Sequence, residues 1–120
     1  MEGLTFWLRD NIEALWNLGI TPPHPEIIVV GGTTRVPTFM QIKAAVTGCP
    51  IKVPQITEAA ATGAALLGGR GANIFHSDAE ATSSVRHTIQ TYEPSQQAIE
   101  AYDTIYQQTY LPARRSILGT

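Results

Sequence analysis

Five residues, Glu26-Ile27-Ile28-Val29-Val30, lead without polar alternation into a glycine pair, Gly31-Gly32. Four of the five are β-branched, stiff at χ1 and better suited to a pleated sheet than to a helix. A short apolar run with no period-two alternation predicts a strand covered on both faces, as in a sheet that carries helices. The glycines then end it in a tight turn. Missing Cβ atoms let a flat base or ribose approach the main chain there, and a following helix supplies amide donors. A Gly-Gly turn is also commonly no more than a turn, so nucleotide contact is one of two readings. The spacing G-x-G-x-x-G is absent, and so is a G-x-x-x-x-G-K-[ST] phosphate loop.

The surroundings of this strand read as helices. Leu4, Trp7, Leu8, Ile12, Leu15 and Leu18 recur at helical spacing up to Gly19, which predicts an amphipathic helix with those side chains inward. Arg9 and Glu13 fall on its wet side, four apart and able to pair. Thr21-Pro22-Pro23-His24-Pro25 is a stiff connector. A second helix starts near Pro37, carries Phe39, Met40, Ile42, Ala45 and Val46, and stops at Gly48-Cys49-Pro50. Ile51 and Val53 give a short strand closed by Pro54. Thr57 is an N-cap candidate for a third helix, with Glu58 near its positive end. That helix, from Ala59 to Leu67, has small residues on several faces and is expected deep in the domain, with Gly63 kept for close packing. Between Arg70 and Tyr92 the pattern weakens, and Ser77 to Ser84 reads as a loop or a short helix. A last helix runs from about Pro94 to Leu111, lined by Ile99, Tyr102, Ile105, Tyr106 and Tyr110, with Pro112 as its stop. The order of elements is α/β, helices packed on a small sheet.

Composition removes several classes of function. A chain of 120 residues supports a single domain, here 1–120. Eight basic against ten acidic side chains, with no basic run, leave no electrostatic footprint for nucleic acid. No apolar stretch approaches the roughly 20 residues that span a bilayer. The single cysteine, Cys49, cannot form an internal disulfide, and a reducing cytoplasm is the simplest location.

Read in order, the segments become specific. Glu2-Gly3-Leu4 opens a helix, Ile27-Ile28-Val29-Val30-Gly31-Gly32 follows, and then a helix holding Gln41. After these come Gly48-Cys49-Pro50-Ile51-Lys52-Val53-Pro54 and Thr57-Glu58-Ala59-Ala60-Ala61-Thr62-Gly63-Ala64-Ala65. The series resembles the carboxy-terminal part of the FGGY carbohydrate kinases, clearly over about residues 2 to 75 and less specifically in the closing helix, 93–112. The resemblance implies part of an actin-like ATPase domain, ribonuclease-H-like in fold, the second of two such domains around a cleft. It implies that Gly31 and Gly32 form the adenosine turn of an ATP site, with Thr33, Thr34 and Arg35 just after it. Val36 stands where relatives often carry Ser or Asn, which touch the nucleotide or cap the helix. The implied cofactors are ATP and Mg²⁺. The implied partners are a sugar or polyol substrate and the amino-terminal part of the same kinase, which carries the aspartate base and phosphate turns. No catalytic residue is assigned to this chain, which alone is expected to phosphorylate nothing.

Other chemistry-bearing residues have plainer readings. Arg35 reads as a solvated loop residue against a phosphate clamp, Gln41 as structural, and Glu58 as helix stabilisation against catalysis. Asp10, Asp78 and Asp103 read as surface carboxylates; His24, His76 and His87 lack metal-ligand spacing. Cys49 reads as packing, and so does the stripe Tyr102, Tyr106, Tyr110. An alternative to the kinase is a non-catalytic actin-like module with a degenerate nucleotide site, a reading that Val36 keeps open. Exposed apolar surface is expected at Trp7, Trp16 and the Ala-rich helix, and with it self-association of the isolated chain.

Overall fold

The computed structural model describes residues 1–56, 58–85 and 88–119. In chain order these form α1 (Glu2–Asn17), β1 (Ile27–Ile28), a 3₁₀ turn (Gly32–Arg35), α2 (Pro37–Thr47), β2 (Ile51–Pro54), α3 (Ala59–Gly71) and α4 (Asp78–Ser83). Next come β3 (Ile89–Tyr92), α5 (Gln96–Ile105), a π-helical segment (Tyr106–Tyr110) and α6 (Leu111–Leu118). The three strands make one sheet in the order β1-β2-β3. Strand β1 runs parallel to β2, pairing Ile27 with Ile51, and β3 runs antiparallel, pairing Tyr92 with Ile51 and Gln90 with Val53.

Helix α2 holds the molecule together. Its Met40 and Ala44 are fully buried against Ile51, Val53 and Tyr92 of the sheet, with Ile27, Val29 and Phe39 at the margin. Its Val46 meets a second cluster made by Phe6 of α1 and Tyr106. Each large side chain buried in this way contributes about 1.5–3 kcal/mol. The expectation that β1 is covered on both faces is overturned: Ile28 and Val30 are 65% and 50% exposed. The strand lies at the sheet edge and α2 covers only the face that carries Ile27 and Val29. Absence of alternation shows that both faces tolerate burial, not that this chain covers both.

Helix α1 is turned from its expected orientation. Leu4, Trp7, Leu15 and Leu18 are exposed, while Thr5 and Phe6 are buried. What it presents to the carboxy-terminal helices is aromatic and charged. The Phe6 ring lies 6.0 Å from that of Tyr106 and 5.7 Å from that of Tyr110. Arg9 leaves the wet side altogether: its guanidinium stacks 4.0 Å over the Tyr106 ring and donates to Glu13 at 2.9 Å and to Asp103 at 2.7 Å. The tyrosine hydroxyls complete the seam, Tyr102 donating to Glu2, Tyr106 to Glu13 and Tyr110 to Asp10. Burial first, then the Glu13 carboxylate, pushes the Tyr106 phenol well above its ordinary range. The expected core role of the stripe holds at Tyr106, whereas Ile105 is 41% exposed. Asp78 and Asp103 lie at the surface as expected, with side chains 90% and 50% exposed, and pair there with Arg70 and Arg9; Asp10 is the exception, largely covered and paired with Arg114.

Two further boundaries differ from expectation. Pro112 does not stop the last helix. A π turn brings the Leu111 N–H to the Tyr106 carbonyl, and Pro112 then falls in the first turn of α6, where its missing N–H costs little. Helix α3 runs through Gly68-Gly69 to Gly71, packs against α4 and has no buried residue, so it is not deep in this chain. A Cβ on Gly63 would meet nothing within 4 Å; the close approach is at Gly69, where a Cβ would fall 2.6 Å from the Phe75 ring. Small residues permit contact without naming the partner. The expected cap Thr57 lies outside the described residues, as does His87. Residues 78–83 are a helix with a reciprocal cap, Ser77 accepting from the Glu80 N–H while the Glu80 carboxylate accepts from that of His76. The molecule is elongated, 54 × 28 × 26 Å, with a radius of gyration of 17.7 Å against about 14 Å for a compact chain of this length.

Candidate functional site

A concavity of about 820 Å³ opens beyond the carboxyl ends of the parallel strands β1 and β2. That is where open α/β sheets generally take ligands, because the loops leaving neighbouring strands diverge there. Val30, Gly31, Gly32, Thr34 and Arg35 form one wall, Gln55, Glu58 and Ala59 another, and Gln90 and Tyr92 of β3 lie across the sheet.

The turn between β1 and α2 is built for bare main chain. Gly31 has φ 105° and ψ −176°, a region essentially closed to residues with a Cβ. The turn is pinned from within, since both the N–H and the hydroxyl of Thr34 donate to the Gly31 carbonyl, at 3.2 and 2.6 Å. Among the described residues, and apart from its immediate chain neighbours, nothing lies within 4 Å of where a Cβ on Gly31 or Gly32 would stand. The open backbone therefore faces space that a flat ligand can enter.

Of the residues singled out in the sequence, the cleft brings together Gly31, Gly32, Thr34, Arg35 and Glu58. Thr33 and Val36 belong to the same turn but do not line it. Val36 sits at the N-cap of α2 with extended backbone, φ −109° and ψ 95°, and no side-chain cap. Val36→Ser supplies the missing acceptor and should raise stability by about 1 kcal/mol, read as a higher urea midpoint at unchanged slope. A midpoint at or below that of the original chain would count against the capping account.

Gln41 is exposed on α2 and lines a separate groove of about 260 Å³ with Thr38, Glu93 and Ser95, away from the Gly-Gly turn. Cys49 is buried, its thiol raised above the usual range by burial and set 3.5 Å from the Thr47 carbonyl, which suits packing and not nucleophilic attack. Among the described residues no group of three or more His, Cys, Asp or Glu could hold a metal ion. Sequence reasoning missed the cleft residues of β3. Thr88, Ile89, Thr91 and Tyr92 carried a β-propensity signal, too short to stand out from the weak pattern around it.

The model of the FGGY family of carbohydrate kinases, C-terminal domain, matches residues 1–72. This chain belongs to the FGGY carbohydrate kinases. The FGGY chain is 34% identical over 94 residues to L-fuculokinase of Escherichia coli K12, an alignment covering 78% of this chain and 20% of that protein. It is 35% identical over 79 residues to L-xylulose/3-keto-L-gulonate kinase of the same strain, covering 66% of this chain and 16% of that one. Autoinducer-2 kinase of E. coli O9:H4 is 36% identical over 80 residues, 66% of this chain and 15% of its own length. The chain thus spans about a fifth or less of these relatives. Among solved structures, a xyloylose kinase from Brucella ovis superposes with a TM-score of 0.74 at 32% identity, over 97% of this chain and 24% of that one. Xylulose kinase from Rhodospirillum rubrum, at 24% identity, shares the fold with a TM-score of 0.73 over 98% of this chain and 23% of its own. The expected actin-like α/β architecture of the FGGY kinases is the architecture found.

Proposed function

We propose that this chain is the adenosine-binding carboxy-terminal portion of an ATP-dependent kinase that moves the terminal phosphate of ATP to a sugar or polyol hydroxyl. The observation that carries it is the left-handed Gly31 turn, whose bare main chain faces an open cleft at the ends of two parallel strands. The names of the relatives, L-fuculokinase and L-xylulose/3-keto-L-gulonate kinase among them, support a sugar as the acceptor.

Phosphoryl transfer depends on positioning, on electrostatic stabilisation and on a base for the accepting hydroxyl. The part of that work proposed for these residues is holding the nucleoside. Residues 2–75 supply the turn, and the helices from Gln96 to Leu118 brace it through α1 and α2. ATP supplies the phosphoryl group; an accompanying Mg²⁺ would find no cluster of ligands among the described residues. A sugar substrate and the amino-terminal part of the kinase would complete the site. A reducing compartment such as the cytoplasm suits the buried thiol of Cys49.

The test is a titration of ADP into the chain, followed by the amide resonances of Gly31 and Gly32. Saturable shifts centred on that turn are expected, with no phosphorylation of pentuloses or hexuloses by the isolated chain. Val36, which offers the nucleotide no polar side chain, favours a second reading as a non-catalytic actin-like module. Absence of any saturable shift at millimolar ADP would select that reading.

A further inference from the structure

We propose that Gln90 on β3 reads the edge of the base, making this cleft selective for adenine over hypoxanthine. The proposal rests on the nucleotide reading of the cleft. Gln90 stands opposite Val53 in the antiparallel ladder, so both side chains share one face of the sheet. That face is the one α2 covers through Met40 and Ala44. Tyr92, two residues along β3 and on the same face, is buried at 6% exposure, whereas Gln90 is exposed and lines the cleft. Tyr92 thus borders the cleft at its covered end, under α2, and Gln90 stands at its open end.

Spacing fits the assignment. Two strand intervals separate β1 from β3, roughly 10 Å. Gly31, just past the end of β1, and Gln90 on β3 both line the one cleft of about 820 Å³, which has room for a purine between them. The chemistry fits as well. A primary amide offers a donor and an acceptor side by side, and adenine presents an amino donor beside a ring-nitrogen acceptor. The edge assigned to Gln90 is the one formed by the amino group and N7: there hypoxanthine keeps the N7 acceptor but puts a carbonyl oxygen in place of the amino donor, so one half of the match is broken whichever way the amide is turned. Neighbouring polar groups are less suited: the Gln55 amide is directed to the Val53 carbonyl at 3.4 Å, and an ionised Glu58 can only accept. Strand β3 lies outside the span matched by the family model, residues 1–72, so this reader belongs to the later part of the chain.

The experiment measures the Kd of ADP and of inosine diphosphate for the chain and for Gln90→Leu, Gln90→Glu and Gly31→Val. The unsubstituted chain should prefer ADP by roughly 10-fold or more, the discrimination typical of a paired amide contact. Gln90→Leu should bring the ratio close to one while leaving the thermal midpoint unchanged, and Gln90→Glu should lower ADP affinity. A preference that survives in Gln90→Leu, or equal losses for both nucleotides, overturns the proposal. If that happens while Gly31→Val still abolishes ADP binding, the cleft reading stands and only the role of Gln90 falls. If the unsubstituted chain binds neither nucleotide, both fall.

Discussion

Tyr106→Ala is expected to lower the unfolding free energy by about 3–5 kcal/mol, the cost of emptying a fully buried aromatic site. Tyr106 has no exposed surface and is stacked on Tyr110 with ring centroids 5.3 Å apart. Truncation also takes the ring from beneath the Arg9 guanidinium and removes the hydroxyl that donates to Glu13 at 3.0 Å. A small domain has only about 5–15 kcal/mol in hand, so this one change removes a large share of it. Tyr106→Phe keeps the ring and should cost only about 1 kcal/mol. Urea denaturation of the three proteins checks the order. An alanine variant within about 0.5 kcal/mol of the original would mean that the aromatic seam does not hold α1 to the carboxy-terminal helices.

The second large effect is expected at the turn. Gly31→Val should weaken ADP binding at least 10-fold and cost about 1–3 kcal/mol of stability, because no residue with a Cβ adopts φ 105° and ψ −176° without strain. The loss is conformational, since space beside Gly31 is open. If the turn holds its shape, the valine side chain stands in the cleft; if it relaxes, the main chain moves away. Both routes lower affinity. Gly32→Ala, whose backbone is not left-handed, is the milder control. Undiminished ADP affinity in Gly31→Val, measured by calorimetry, would remove the turn from the site.

Much of this organisation was legible beforehand because it rests on local rules. The span of α1, the start of α2 at Pro37 and the short strand at Ile51 follow from periodicity and from where proline is tolerated. The Gly31-Gly32 turn was legible for the same reason, since a glycine pair after an apolar run has few other uses. What sequence could not supply was which face meets which neighbour. The leucine and tryptophan stripe of α1 has the right period, yet α1 docks through Phe6, Arg9 and Glu13, a choice made by tyrosines about a hundred residues later in the chain. A charged residue at the right spacing looks like solvent exposure until the aromatic ring and second carboxylate that cover it are known. Strand β3 was missed for a related reason. Its side chains mix polar and apolar, and its pairing with β2 is non-local, so its half of the cleft appeared only in three dimensions.

The wide turn at Tyr106–Tyr110 accommodates one residue more than an α-helical turn would. Each residue advances an α-helix by about 100°, so that extra residue sets the angular phase of everything beyond it. Arg114 reaches Asp10 at 2.8 Å only because α6 begins at this phase. The carboxy-terminal helix is thus keyed to α1 by its rotation as much as by its contacts, and a one-residue deletion there would swing Arg114 away while leaving the helix itself intact.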